Sequence, residues 1–333
     1  MKIDVHCHGY PAELFEFLAA HYPERIVYRD GKGGPAAGPW IDAWDENVRL
    51  REMDDCGIDL EILSSPQAYA GGGEHLPHLC RMVNDVYSAA VGRHPDRFRS
   101  FVHLPFLDVD AAMAELRRVA DDSAFVGVFL PSNVAGTYPD DQTFEPLWHE
   151  FTARHLPVFL HPLQSSCYKD PLNPATLTLP FDTTLAVVRM AVAGVFDRHP
   201  ELALLVSHLG GTLPFLARRI DLGYDLPSYY STPIWTTDQR PSDHIGRLYV
   251  DTAQGWSEPA FRCAESVVSI DHILFGTDHF DAATRFVEKT VAFLEDLDLE
   301  DDARESVFSG NAMTLFRLSA SDVRTQTPTT LER

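Results

Sequence analysis

Ile3-Asp4-Val5-His6-Cys7-His8 opens the chain as a short, β-branched run that closes on two histidines two positions apart. Side chains at i and i+2 share one face of a strand, so both imidazoles point one way while Val5 and Cys7 point the other. Seven more runs of this length and character follow, at 58–63, 98–104, 125–130, 157–160, 202–207, 247–251 and 273–276. Segments of helical period separate them, at 46–56, 76–94, 109–121, 144–155, 183–198, 213–224, 259–266 and 283–297. Strand and helix in strict alternation predict parallel strands with crossover helices, and eight such units predict an α/β fold of the closed (β/α)8 TIM-barrel type. The face carrying His6 and His8 is then the lumen, near the carboxyl end of the first strand.

Three stretches interrupt the alternation. Residues 9–44 carry GKGGPAAGP, 164–180 follow the fifth strand, and 225–243 precede the seventh and contain YYSTPIW. The first two leave from strand carboxyl ends, where barrel active-site loops collect, and all three read as lids. The expected organisation is one barrel domain over 1–318, with 9–44 as a lid insertion and a flexible tail over 319–333. The length of 333 residues suits a barrel with insertions, and 45% apolar, 23% charged and 11% aromatic residues are ordinary for a folded globular chain. A formal charge of −22 repels phosphate backbones and anionic bilayers, which argues against nucleic acid or a membrane as partner. No apolar run is long enough to span a bilayer and no secretory leader is legible, so the expected location is cytoplasmic. Cys7, Cys56, Cys80, Cys167 and Cys263 are odd in number and lack C-x-x-C spacing, which indicates reduced thiols.

The chemistry gathers at the strand ends. The fifth strand ends in His161-Pro162, the sixth in Ser207-His208-Leu209-Gly210-Gly211, and the eighth in Gly276-Thr277-Asp278-His279. A barrel brings these tips to one mouth, beside His6 and His8. Nitrogen and oxygen donors without thiolates suit zinc, and also manganese or iron.

These motifs resemble the amidohydrolase superfamily, and within it the branch of aminocarboxymuconate-semialdehyde decarboxylase. The resemblance rests on 1–8, on Val48-Arg49-Leu50-Arg51-Glu52-Met53-Asp54 with Cys56-Gly57-Ile58, on Leu63-Ser64-Ser65, His161-Pro162, His208-Leu209-Gly210-Gly211, Gly276-Thr277-Asp278 and Gly310-Asn311-Ala312. It implies His6, His8, His161 and Asp278 as ligands of one divalent ion, Zn2+ first and Mn2+ second. It implies His208 as the catalytic histidine facing metal-bound water or substrate, with Asp278 sharing its proton. The fourth strand, Phe125-Val126-Gly127-Val128-Phe129-Leu130, has no lysine to carboxylate, consistent with a single metal.

The activity so implied is nonoxidative decarboxylation of a small aromatic or muconate-type carboxylic acid, with a homodimer or higher homo-oligomer as the assembly. A hydrolase or hydratase acting on a C–C or C–O bond of a ring-cleavage product is the alternative at the same site, and a non-catalytic metal-binding partner subunit is the remote one. Arg29, His103, Asp251 and His279 are candidate substrate contacts. Arg29, Lys32, Arg49 and Lys169 are the cations to watch for a substrate carboxylate. Trp40, Trp44, Tyr229, Tyr230 and Trp235 are aromatic residues of the insertions, able to wall a substrate or to anchor their own loops.

Overall fold

Eight parallel strands form one sheet in simple sequential order. They are β1 (Ile3–His8), β2 (Leu60–Ser64), β3 (Phe98–His103), β4 (Phe125–Pro131), β5 (Val158–His161), β6 (Leu204–Val206), β7 (Tyr249–Asp251) and β8 (Ile273–Leu274). This computed structural model describes residues 1–23, 27–28, 35–36, 43–70, 73–163, 175–226, 237, 239–280 and 285–323. The last strand returns to the first. Val5 N–H donates to the Phe275 carbonyl at 3.0 Å, Asp278 N–H to the His6 carbonyl at 2.7 Å, and His8 N–H to the His279 carbonyl at 2.6 Å. The predicted barrel is therefore the observed one, and β1 and β8 carry their chemistry side by side.

The lumen is filled by alternate residues of successive strands. Phe101 stacks on Phe159 at 5.0 Å between ring centroids, and Phe159 meets Phe129 edge-on at 6.0 Å and His6 at 5.0 Å. An aromatic floor thus supports the first ligand. Outside, the helix Glu46–Cys56 begins on Asp45, whose carboxylate accepts from Asn47 and Val48 N–H, and ends on Gly57 in the left-handed region.

Four boundaries differ from the sequence reading. The helix expected from 183 starts at Ala175 and ends at Val192, with a separate turn over Val195–Arg198. Pro180 sits inside it, and the hydroxyls of Thr183 and Thr184 donate to the Leu179 and Pro180 carbonyls, binding that turn through side chains. Part of the stretch read as a second lid is thus helix. The insertion after β1 contains a helix, Ala12–His21, and a two-stranded ribbon of Val27–Tyr28 with Pro35–Ala36. The sixth strand stops at Val206, before His208. Past 318 the chain is described as far as Val323, and there Asp322 closes a capping box with Ser319 and pairs with Arg99 at 2.9 Å. Among the described residues no helix is long and apolar enough to cross a membrane.

Candidate active site

His6 and His8 leave β1 on one face, His161 ends β5, and His208 and Asp278 follow β6 and β8. The ring of His6 lies 5.1 Å from that of His8, 5.0 Å from that of His161 and 5.0 Å from that of His208. All five residues singled out from the strand tips are together. Asp278 divides its oxygens between them. Oδ1 lies 3.0 Å from His8 Nε2 and 3.3 Å from His6 Nε2, while Oδ2 lies 3.4 Å from His208 Nε2 and accepts from the Gln254 side-chain amide.

His208 is held by a turn rather than by a strand. Its φ is 58°, and that of Leu209 is 53°, in the left-handed region that costs a non-glycine residue of order 1–3 kcal/mol. The Asp251 carboxylate offsets part of this by accepting from His208 N–H at 2.9 Å. Its other oxygen meets His6 Nδ1 at 2.9 Å, so one buried carboxylate orients two of the imidazoles. Ser64 does the same for His8. Its hydroxyl donates to the Cys7 carbonyl at 3.1 Å and stands 2.8 Å from His8 Nδ1, which must then be the donor, leaving the Nε2 lone pair free. Gly276 permits the whole arrangement, since a Cβ there would lie 2.8 Å from the His6 Cβ and 2.9 Å from that of Asp251.

The electrostatics suit a cation. Burial pushes His8 down to about 4 and His161 well below the ordinary imidazole range, so both are neutral donors. Burial opposes charge on His6 too, but Asp251 and Asp278 overcome it and push His6 up to about 10. Burial would raise Asp278, yet the charge on His6 and the contact with His208 hold it well below the carboxylate range. The buried ring nitrogens His6 Nε2, His161 Nδ1 and His208 Nδ1 have no hydrogen-bond partner among the described residues. One donor atom each from His6, His161, His208 and Asp278 falls within 4.8 Å of the others. Neutral His8 and His161, an ionised carboxylate and unpaired ring nitrogens on His6, His161 and His208 at that spacing fit a divalent ion, which would displace the proton on His6.

Above these groups opens a cavity of about 1030 Å3, lined on the wall by Tyr10, Gln67, Leu179, Gln254, Trp256 and Phe280 and at its base by His8, His161, His208 and Asp278. Among the described lining residues none is lysine or arginine. Burial holds the Tyr10 phenol well above its ordinary range, leaving it a neutral donor.

The other expected substrate contacts are placed elsewhere. Asp251 is fully buried behind His6 and does not line the cavity. His103 accepts from Ser65 N–H at Nε2 (2.9 Å), meets the Phe101 carbonyl with Nδ1 (3.1 Å) and stacks on Phe129. Both its nitrogens are engaged, and burial pushes it down to about 3. His279 turns away from the mouth to Arg49, 2.7 Å from Nη1. Arg49 itself is buried and donates to the His8 carbonyl at 2.7 Å, so it braces the ligand strand and does not face substrate. Trp44 anchors its loop, edge-on to Tyr87 and Phe98. Arg29, Lys32, Trp40, Lys169, Tyr229, Tyr230 and Trp235 lie outside the described residues. Sequence reasoning passed over Tyr10 and Gln254, and quoted Ser64 within Leu63-Ser64-Ser65 without giving it a role. For Ser64 the signal was its place at the end of β2, and for Gln254 its place in the turn after β7.

A barrel with this histidine and aspartate set at its carboxyl mouth defines a metal-site hydrolase or lyase. Residues 3–318 match the amidohydrolase family, and the chain belongs to it. Among curated relatives, 2-amino-3-carboxymuconate-6-semialdehyde decarboxylase of Dictyostelium discoideum is 26% identical over 283 residues, covering 83% of this chain and 77% of the relative. Gamma-resorcylate decarboxylase of Polaromonas sp. (strain JS666) is 27% identical over 327 residues, covering 91% and 98%. Among solved structures, 5-carboxyvanillate decarboxylase of Novosphingobium aromaticivorans, complexed with manganese and 4-hydroxy-3-methoxy-5-nitrobenzoic acid, superposes with a TM-score of 0.84 at 20% identity, over 96% of each chain.

Proposed function

We propose that this chain is a metal-dependent, nonoxidative decarboxylase of a small aromatic carboxylic acid. The observation that carries the reading is the mouth itself: four imidazoles and one ionised carboxylate beneath a largely apolar cavity of ring-accommodating size. The decarboxylase names of the relatives support it. His6, His8, His161 and Asp278 are the proposed ligands of one divalent ion. His6 and His8 face Asp278 Oδ1, whereas His208 faces Oδ2, and this separation supports a different role for His208 even though its ring belongs to the tightest donor cluster. Zinc and manganese both suit the donor set, and the manganese of the Novosphingobium structure favours manganese more than the zinc first expected. When bound, such an ion supplies positive charge that orients substrate oxygens and stabilises the negative charge developing on them.

The chain's own residues supply the rest. Trp256, Phe280 and Leu179 flank an aromatic ring and exclude water, and Tyr10 and Gln67 offer neutral hydrogen-bonding groups. His208 delivers a proton to the ring carbon that bears the carboxylate in this reading, which its 3.4 Å contact with Asp278 Oδ2, the proposed partner in proton exchange, supports. The new C–H bond forms at that carbon, the bond to the carboxylate breaks, and its electron pair returns to the ring as carbon dioxide leaves.

Leu177, Phe181 and Leu185, spaced four apart on one helix and exposed, together with Phe215 at 82% exposure, support a homodimer through this rim. The four described cysteines are free, which supports a cytoplasmic, reducing location. The test is carbon dioxide release from a panel of hydroxybenzoates by protein loaded with manganese or zinc. Release that stops in a chelator and returns with metal is expected, and His208→Asn should abolish it while retaining metal. Solvent oxygen-18 entering a product without carbon dioxide release would replace this reading with the hydrolase.

A further inference from the structure

Gln254 departs from every local preference of its sequence. It is a long side chain at φ 53° in the turn after β7, where glycine or asparagine is the ordinary occupant. The turn is tightly set. Ala253 N–H donates to Asp251 Oδ1 at 2.9 Å, Gly255 N–H to the Thr252 carbonyl at 3.1 Å, and a Cβ on Gly255 would lie 2.5 Å from the Leu209 side chain. It thus packs on the turn that carries His208. The product of that strain is one contact: the Gln254 amide donates to Asp278 Oδ2, the oxygen that His208 also approaches. Asp278 itself has a φ of 58°, so its own backbone is strained and its carboxylate depends on outside partners for its orientation. Gln254 is an uncharged donor from a neighbouring strand tip, and it also lines the cavity.

We infer that Gln254 is a positioning residue. By holding Oδ2 it turns Oδ1 toward His6 and His8, where the ion is proposed to bind, and it fixes the line along which His208 meets the carboxylate. The inference rests on the metal site proposed above. Strain kept in a turn for the sake of one hydrogen bond is otherwise without purpose, because glycine would relieve it at no cost in space.

Gln254→Gly is the decisive variant, since it suits the backbone and removes the amide. Gln254→Asn is the second, tolerating the same φ with an amide one methylene too short to reach. Manganese and zinc affinity are measured by competition with a chelating dye, and the melting temperature is measured on metal-free protein. Gln254→Gly is expected to melt at or above the wild-type temperature without metal, yet to bind the ion about 10- to 100-fold more weakly, the range for losing a group that orients a ligand. Gln254→Asn is expected to weaken binding likewise. Affinity within about twofold of wild type in both variants would overturn the role. So would a loss of affinity matched by a lower metal-free melting temperature, which would make the residue merely structural. If no carboxylic acid is turned over, the decarboxylase reading fails while the affinity measurement still decides Gln254.

Discussion

Two largely buried clusters of ionisable groups adjoin β1, and one of them contains an arginine. In front are His6, His8, His161, His208 and Asp278, braced by Asp251. Behind are Glu61, Glu52, Asp4 and His279, with Arg49 among them: Arg49 stands 3.4 Å from Glu61 Oε1 and 4.0 Å from Glu52, and His279 lies 3.5 Å from Glu61. The rear cluster carries its own permanent cation. Burial works against Arg49, but Glu61 raises it, and Arg49 with His279 holds Glu61 below its ordinary value. The front cluster among the described residues has no arginine or lysine; its charge balance rests on imidazoles, of which His6, pushed up to about 10, holds a proton that a metal ion can displace. Buried carboxylates with a built-in guanidinium are structure, whereas buried carboxylates ringed by imidazoles, whose protons can be exchanged for a metal ion, suit a cation from outside.

The widest separation of the two clusters should come from removing a carboxylate in front. Asp278→Asn is expected to lower turnover by about a thousandfold or more, within the range for losing an acid–base partner and with metal affinity lost besides. Its metal-free melting temperature should stay near wild type. Unchanged turnover in loaded protein would dissolve the distinction, since Asp278 would then be as structural as Glu61. Arg49→Met tests the rear. It leaves Glu61 buried without its partner, a change that costs about 3–5 kcal/mol, readable by urea unfolding. Turnover per folded molecule should fall by less than about tenfold, because Arg49 reaches the site only through the His8 carbonyl. A stable variant with no turnover would move Arg49 to the front.

How much of this was legible follows the same division. The barrel and the convergence of His6, His8, His161, His208 and Asp278 could be read because period-two alternation and strand-tip position are local properties of sequence. The left-handed backbone of His208 and Asp278 could not, since nothing in either residue type demands it and Asp251 and the neighbouring turns impose it. His103 and His279 show the limit most plainly. Each stands at or just past a strand tip, as the ligands do, and what separates them is who occupies their lone pairs: Ser65 N–H for one, Arg49 for the other. Those partners are 38 and 230 positions away in sequence. Arg49 was legible as a cation on a helix, but its burial against Glu61 is a tertiary fact. Gln254 left only the trace of a turn.

The mildest test asks whether His103 belongs with the structural side. Burial pushes it down to about 3, and His8 to about 4, against about 6.5 in an unfolded chain. The unfolded chain therefore takes up these protons first as the medium is acidified. Stability is fully present above pH 6.5 and is lost as pH falls through the window down to 4 and then 3. Each group contributes a slope approaching 1.4 kcal/mol per pH unit inside its window. His6, raised to about 10, has the opposite sign: its contribution is fully present below pH 6.5 and is lost as pH rises from there through 10. Urea unfolding of metal-free protein between pH 6 and 4.5 should accordingly steepen with acid, and His103→Gln should flatten that dependence by roughly 1.4 kcal/mol per unit. Adding metal should steepen it again by making protons compete for His8 and His161, yet the difference between wild type and His103→Gln should stay the same with metal as without. If metal changes that difference, His103 is coupled to the ion and the line between the two clusters runs through β3 instead of behind β1.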